Sequence, residues 1–235
     1  MTERTPLALL PGLLLDEDLW SHQLEELKDV ADIRVGDFST QNNVADMAQS
    51  VLEMMPERFA LAGLSMGGYV AQEIMRQAPE RVERLALLDT RASPDEDEVV
   101  ARRKDLMKLA ERGRFRGVTP RLLPMLVHED RLEDRALCNR ILAMAERIGR
   151  DGFIRQQEAI LNRPDFRPTL ARITCPTLVL CGREDKLTPV ALHREMAAGI
   201  ATSRMVVLEH SGHLPPMEKP EETTVELRRW LTEQA

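Results

Sequence analysis

Six short apolar runs, each closed by a turn signal, constrain this chain more than any other feature. Leu7-Ala8-Leu9-Leu10 stops at Pro11-Gly12, and Ile33-Arg34-Val35 stops at Gly36-Asp37. Phe59-Ala60-Leu61-Ala62 stops at Gly63, and Leu85-Ala86-Leu87-Leu88 stops at Asp89-Thr90. Thr177-Leu178-Val179-Leu180-Cys181 stops at Gly182, and Met205-Val206-Val207-Leu208 stops at Glu209-His210-Ser211-Gly212. Near-continuous apolar runs of this length fit strands buried on both faces, as in parallel sheets. Helical patterns separate them at residues 20–27, 44–55, 69–77 and 190–198, and another at 221–231 closes the chain. In the second of these, Val44, Met47, Ala48, Val51, Leu52 and Met55 share one face. Strand and helix in alternation predict an α/β fold with a doubly wound, about six-stranded, mostly parallel sheet.

Residues 94–168 break the rhythm. They contain no clear strand, and residues 99–112, 120–127, 131–149 and 155–161 all read as helical. These helices hold more Leu and Met than surface helices need. The segment is therefore expected to be a helical lid over the mouth of a site, inserted into a core formed by residues 1–93 and 169–235.

Composition narrows the partners. The chain has 235 residues, 43% hydrophobic and 30% charged, which fits a globule and excludes general disorder. Its net charge is −7, and Arg102, Arg103 and Lys104 are offset by Asp95, Glu96, Asp97 and Glu98. A nucleic-acid face needs clustered cations, so nucleic acid is not an expected partner. The three cysteines include no CxxC pair. Cys175 and Cys181 bracket one predicted strand and sit too far apart to bridge, which favours a reducing, cytoplasmic compartment. No apolar run approaches the roughly 20 residues of a membrane span. Leu7 to Leu15 is interrupted by Pro11-Gly12 and followed by Asp16, Glu17 and Asp18, unlike a signal peptide.

The chemistry centres on Gly63-Leu64-Ser65-Met66-Gly67-Gly68, between a predicted strand and a predicted helix. A Gly-x-Ser-x-Gly arises by chance in roughly one chain in ten of this length, so the context carries the signal. A serine on a sharp strand-to-helix turn needs small neighbours, and the helix start supplies free N–H groups beneath it. Ser65 is the expected nucleophile.

Serine needs a base. Of five histidines, His22 and His193 lie on amphipathic helices and read as surface residues. His128 lies in the helical segment, where exposure to solvent is expected. His210 and His213 follow the last strand, at the carboxyl ends where ligands of open α/β sheets bind. His213, after Gly212, is preferred over His210. The carboxylate that orients the base is expected to be Asp185, with Asp89 and Glu184 as rivals. The oxyanion donors are expected to be the N–H of Met66 and, from Leu10-Pro11-Gly12-Leu13, that of Leu13, with Leu14 next. Leu14, Leu187, Leu214, Met125 and Leu126 are the expected substrate-binding walls.

The chain resembles the α/β-hydrolase superfamily, in the serine esterase-like branch with a helical lid. Four segments carry the resemblance: the turn at Ser65, Gly182 to Pro189, the Gly-His turn at His213, and Leu10 to Trp20. The order Ser65, Asp185, His213 is the family order. The resemblance implies hydrolysis of a small carboxylic ester, thioester or lactone through an acyl-enzyme, with no metal or other cofactor. Ser65 stands where the epoxide hydrolases and dehalogenases of the family use aspartate. A C–C bond hydrolase or perhydrolase is the runner-up, with Arg91 as a candidate for an acidic substrate, and a ligand receptor of the same fold is a third reading. The family usually has His-Gly where this chain has Pro11-Gly12. It also usually begins with an antiparallel strand pair, for which the first ten residues leave no room. An edge left bare in this way could support a homodimer.

Overall fold

The computed structural model describes residues 4–233. Its elements run β1 (Thr5–Leu10), α1 (Ser21–Glu26), β2 (Ala31–Val35), α2 (Val44–Met54), β3 (Phe59–Leu64), α3 (Met66–Gln77) and β4 (Val82–Leu88). They continue with α4 (Asp97–Leu109), α5 (Leu123–Leu126), α6 (Arg135–Leu161) and α7 (Arg167–Leu170). The chain then returns to the sheet as β5 (Thr177–Gly182), α8 (Val190–Gly199), β6 (Ser203–Leu208), α9 (Pro215–Glu218) and α10 (Pro220–Thr232). All six apolar runs form strands. They make one sheet in the order β2-β1-β3-β4-β5-β6, and every pairing is parallel.

Burial follows the sequence pattern. β3 and β5, inside the sheet, are buried at every residue. α2, α3 and α8 cover one face through Met47, Val51, Val70, Ile74 and Met196. Trp20, Leu27, Leu227 and Trp230 cover the other, with the helical segment adding Leu137 and Ile141. The start of α2 shows how local chemistry sets a boundary: the Asn43 side chain accepts the Asp46 N–H at 2.8 Å and caps the helix. The edge strand β2 points Asp32 and Arg34 outward, charges of the kind that discourage edge pairing.

The strand order reverses between β1 and β3, so a crevice opens at their carboxyl ends. The two loops predicted to carry the nucleophile and an oxyanion donor leave from those ends.

Between β4 and β5 the chain is helical, as expected, but the segments differ in detail. The helix anticipated at residues 120–127 shrinks to the single turn α5, because Pro124 allows only a first turn there. The two helices anticipated at 131–149 and 155–161 form the two limbs of α6. They meet at Gly149, whose φ of +68° breaks the helix.

The ends of this segment are clasped together. Asp95, just before α4, accepts from Arg163 at 2.8 Å and from Arg103 at 2.7 Å. Arg163, just after α6, stacks its guanidinium 4.2 Å from the centre of the Tyr69 ring on α3. The Phe166 N–H donates to Ala92 O at 2.9 Å and closes the neck. The side chains of Asp95 and Arg163 are only 4% and 2% exposed, so neither charge can turn to water if the other is lost. Burial works against the Asp95 carboxylate, but Arg163 and Arg103 outweigh it and hold its pKa below the ordinary value. A group depressed in this way stabilises the fold above its unfolded pKa of about 3.9 and ceases to do so as pH falls through the folded value. Asp95→Ala should cost about 3 kcal/mol at pH 7. In denaturant melts, the gap to wild type should close only below about pH 4. A gap of less than about 1 kcal/mol at pH 7 would show that the clasp is not holding the neck.

Candidate active site

Ser65 sits between β3 and α3 with φ +54° and ψ −114°, a conformation that L residues rarely adopt. The turn is this tight because three backbones meet there. A Cβ on Gly63 would lie 2.3 Å from Gly67 O, and one on Gly67 would lie 2.2 Å from Leu10 O. No side chain fits either space. Ser65 is the N-cap residue of α3, yet its side chain does not cap the helix. Its Oγ lies 2.9 Å from His213 Nε2 instead.

His213 follows β6 on a loop whose two flanking N–H groups are fixed. Gly212 N and Leu214 N each donate to the Glu218 carboxylate at 3.0 Å. His128 N, from the helical segment, donates to the same carboxylate at 2.6 Å. The backbone N–H of His213 donates to Leu126 O at 2.9 Å. Its ring is buried, with Nδ1 2.8 Å from Asp185 Oδ2. Burial raises the Glu218 carboxyl above its ordinary range despite the three N–H bonds.

Asp185 lies on the turn after β5. Its Oδ1 accepts from the N–H groups of Leu187 and Thr188 at 2.8 and 3.1 Å, and its Oδ2 accepts from the Thr188 hydroxyl. Burial would raise this carboxyl, but the charge and hydrogen bond of His213, with the Thr188 bonds, bring it well below the usual range. An ionised carboxylate only accepts, so the proton on His213 sits at Nδ1 and the lone pair at Nε2 faces Ser65. The structure thus brings Ser65, His213 and Asp185 into one hydrogen-bonded chain.

The loop after β1 lies over this chain. Leu14 has φ +60°, and its N–H donates to Gln156 Oε1 on α6 at 2.9 Å. That donor is therefore occupied. The Leu13 N–H makes no hydrogen bond among the described residues, which favours it over Leu14. Met66 is the first residue of α3, where an N–H has no acceptor within the helix.

Of the expected walls, Leu187, Met125 and Leu126 are half-buried, as is Leu13. Leu14 is almost buried, packed with Phe153 and beside Phe115. That aromatic pair was not anticipated, because its residues lie far apart in sequence on irregular and kinked segments. Leu214, also expected as a wall, has no exposed surface and belongs to the core cluster of Leu123, Val127 and Leu227, because the Glu218 carboxylate holds its N–H inward. A surface hollow of about 830 Å³ lies elsewhere, beyond the end of β2, lined by Asp16, Asp18, Phe38 and Arg147 among others. It contains none of Ser65, His213 and Asp185.

Two histidines differ from the surface positions expected of them. His193 is fully buried, and its Nε2 accepts the Thr90 N–H at 3.0 Å. Burial pushes this imidazole down to about 4, so it stays neutral. Its spacing from Met196, the other buried residue of α8, was the available signal. His128 is also buried, because its backbone is tied to Glu218. The rival acids are both near, in different roles. Glu184 Oε2 accepts the Ser211 N–H at 3.1 Å and so braces the His213 loop. Arg91 is buried and paired to Glu96 at 2.7 Å.

Asp89 is fully buried, and its carboxyl lies within 4.8 Å of the Asp185 carboxylate and the His213 ring. Its Oδ1 accepts the Gly182 N–H at 2.9 Å, and its Oδ2 has no partner among the described residues. Burial first, and then the charge of Asp185, raise its pKa far above normal, so Asp89 is the neutral member of the pair. Such a group stabilises the fold at low pH and ceases to as pH rises through its raised folded value. Asp89→Asn keeps the acceptor for Gly182 and removes the titration. It should hold activity within about threefold of wild type. Its melting temperature should gain on wild type between pH 5 and pH 8. A loss above tenfold in activity would mean that Asp89 works as an anion.

Comparison with known proteins gives a consistent result. The model of the Alpha/beta hydrolase family matches residues 10–227. The pimeloyl-[acyl-carrier protein] methyl ester esterase of Vibrio parahaemolyticus is 27% identical, over 94% of this chain and 92% of its own. A thermophilic esterase from Thermogutta terrifontis superposes with a TM-score of 0.87 at 31% identity, covering 97% of this chain and 89% of that one. The enol-lactonase of Burkholderia xenovorans LB400 superposes with a TM-score of 0.89 at 25% identity, covering 98% and 92%.

Proposed function

The chain belongs to the alpha/beta hydrolase family, and we propose that it hydrolyses a small, aliphatic carboxylic ester or lactone through an acyl-enzyme on Ser65. The observation that carries this reading is the unbroken chain from Ser65 Oγ to His213 Nε2 at 2.9 Å and from His213 Nδ1 to Asp185 Oδ2 at 2.8 Å.

In this mechanism Ser65 Oγ attacks the carbonyl carbon as its proton passes to His213 Nε2. Asp185 stays ionised, keeps the ring oriented and stabilises the imidazolium. The N–H groups of Met66 and Leu13 receive the oxyanion. His213 then gives its proton to the departing alkoxide. Water, deprotonated by His213, attacks the acyl carbon, and as the acid departs His213 returns that proton to Ser65 Oγ. Each step needs only these groups and water.

Residues 94–168 act as a lid in this reading. Three contacts support the role: Gln156 on Leu14, Leu126 O on the His213 N–H, and Pro124 O accepting from Lys186 at 2.8 Å. Each ties the helical segment to a loop that carries a reacting group or borders one. The side chains of Leu13, Leu187, Met125 and Leu126 fit a flexible aliphatic acyl group. The methyl ester and enol lactone in the names of the relatives are small carbonyl esters of the kind this site would take. Arg91, bound to Glu96, is not free to receive an acidic substrate, so no observation favours C–C cleavage.

The test is turnover of p-nitrophenyl acetate, butyrate and octanoate by wild type and Ser65→Ala. Wild type should hydrolyse at least one of them, and Ser65→Ala should lose at least about a thousandfold while melting normally. Retained activity in Ser65→Ala would overturn the nucleophile. Tight ester binding with no turnover by wild type would point to a ligand receptor.

A further inference from the structure

We propose that His128, Asp130 and His210 form a binding site for a zinc-class divalent ion that ties the helical segment to the loop carrying His213. The three residues each offer one ligand atom, and these atoms lie within 4.8 Å of one another. The site straddles a junction: His128 and Asp130 follow α5, whereas His210 precedes His213 on the loop after β6.

The spacing fits the ion better than it fits hydrogen bonds. Asp130 Oδ2 lies 3.3 Å from His128 Nδ1 and 3.4 Å from His210 Nδ1. Both separations exceed the usual hydrogen-bond range. Two ligands about 2.0–2.1 Å from a tetrahedral zinc stand about 3.3–3.4 Å apart, which is the edge seen here. Two imidazoles and one carboxylate are also a donor set suited to zinc and its neighbours rather than to magnesium.

Local structure points the donors inward. The rings of His128 and His210 meet edge to face at 71°, with centres 5.4 Å apart. His210 holds φ +54°, an uncommon conformation outside glycine, and its ring packs against that of His128. His128 Nδ1 accepts a weak 3.2 Å bond from the Asp130 N–H, so its lone pair already faces Asp130 and its proton sits at Nε2. An ion would take that lone pair in place of the backbone contact. Nε2 faces Glu184 Oε2 at 4.0 Å, the carboxylate that an outward imidazole N–H commonly meets at zinc sites. Asp130 and His210 are more than half exposed, which leaves an entry path and a fourth position for water.

Occupancy would fasten three segments at one point. Glu184 precedes Asp185, His210 stands three residues before His213, and the His128 N–H shares Glu218 with Gly212. The ion would therefore brace the frame of the proposed site without touching its reacting atoms.

Isothermal titration of the whole chain with ZnCl2 tests this, beside Asp130→Ala and His210→Ala variants checked for native circular dichroism. Wild type should bind about one equivalent below about 100 µM, and its melting temperature should rise by about 5 °C and return with EDTA. Each variant should bind at least tenfold more weakly, and MgCl2 should give neither heat nor shift. No zinc binding by wild type would overturn the proposal. Equal binding by both variants would also overturn it, by placing the ion elsewhere, such as among Asp89, Asp185 and His213.

Discussion

The site depends on a close approach between backbones. Gly67 lies so near Leu10 O that a single methyl group would collide, and Gly63 has the same relation to Gly67 O. That crossing fixes the start of α3 against the ends of β1 and β3. It also forces Ser65 into its left-handed turn and lifts Oγ off the helix, where a serine in this position would otherwise cap. Loss of the cap forgoes about 1 kcal/mol of helix stability. In return the hydroxyl reaches His213. The reversal of strand order between β1 and β3 places this crossing at the one crevice such a sheet provides.

Charge is arranged around that crossing by burial. Asp185 has four hydrogen-bond donors and remains an anion, whereas Asp89, within reach of it, has only the Gly182 N–H and remains neutral. Two carboxyls this close cannot both be charged away from water. The number of donors at each decides which one is. His193 follows the same rule from the basic side, since a buried imidazole that accepts a backbone N–H has every reason to stay neutral.

Much of this was legible in the sequence, for reasons that differ by residue. The inner strands were visible because strands buried on both faces are apolar nearly throughout, and the edge strands β2 and β6 because short apolar runs there end in turn signals. Ser65, Asp185 and His213 were visible because each sits at a turn marked by glycine or by Thr188-Pro189, just past an apolar run. Glu218, Gln156 and Asp95 were not visible. Each is a polar residue inside or beside a helical pattern, and such residues ordinarily face water. Their roles come from three-dimensional accidents of proximity: backbone N–H groups of His128, Gly212 and Leu214 for Glu218, that of Leu14 for Gln156, and Arg163 for Asp95. His128 and His193 were misplaced on the surface by the same argument, for their backbone and ring contacts are long-range. The kink in α6 was readable only as a gap between two helices, because Gly149 marks the break but not the continuity across it.

The clasp of Asp95 on Arg163 brings the two ends of a long excursion to one spot beside Tyr69, with Ala92 and Phe166 joined just below it. Topologically, everything between them hangs from the sheet by a single neck. Such a neck makes the segment a cassette. Its helices can lengthen or shorten between the contacts that Leu137, Ile141, Leu126 and His128 make with the core, and the register of β4 and β5 is indifferent to their length as long as the acid and the arginine remain at the join. Variation can then fall on the stretches of the cassette between those contacts, while the strands and turns that hold Ser65, His213 and Asp185 stay as they are.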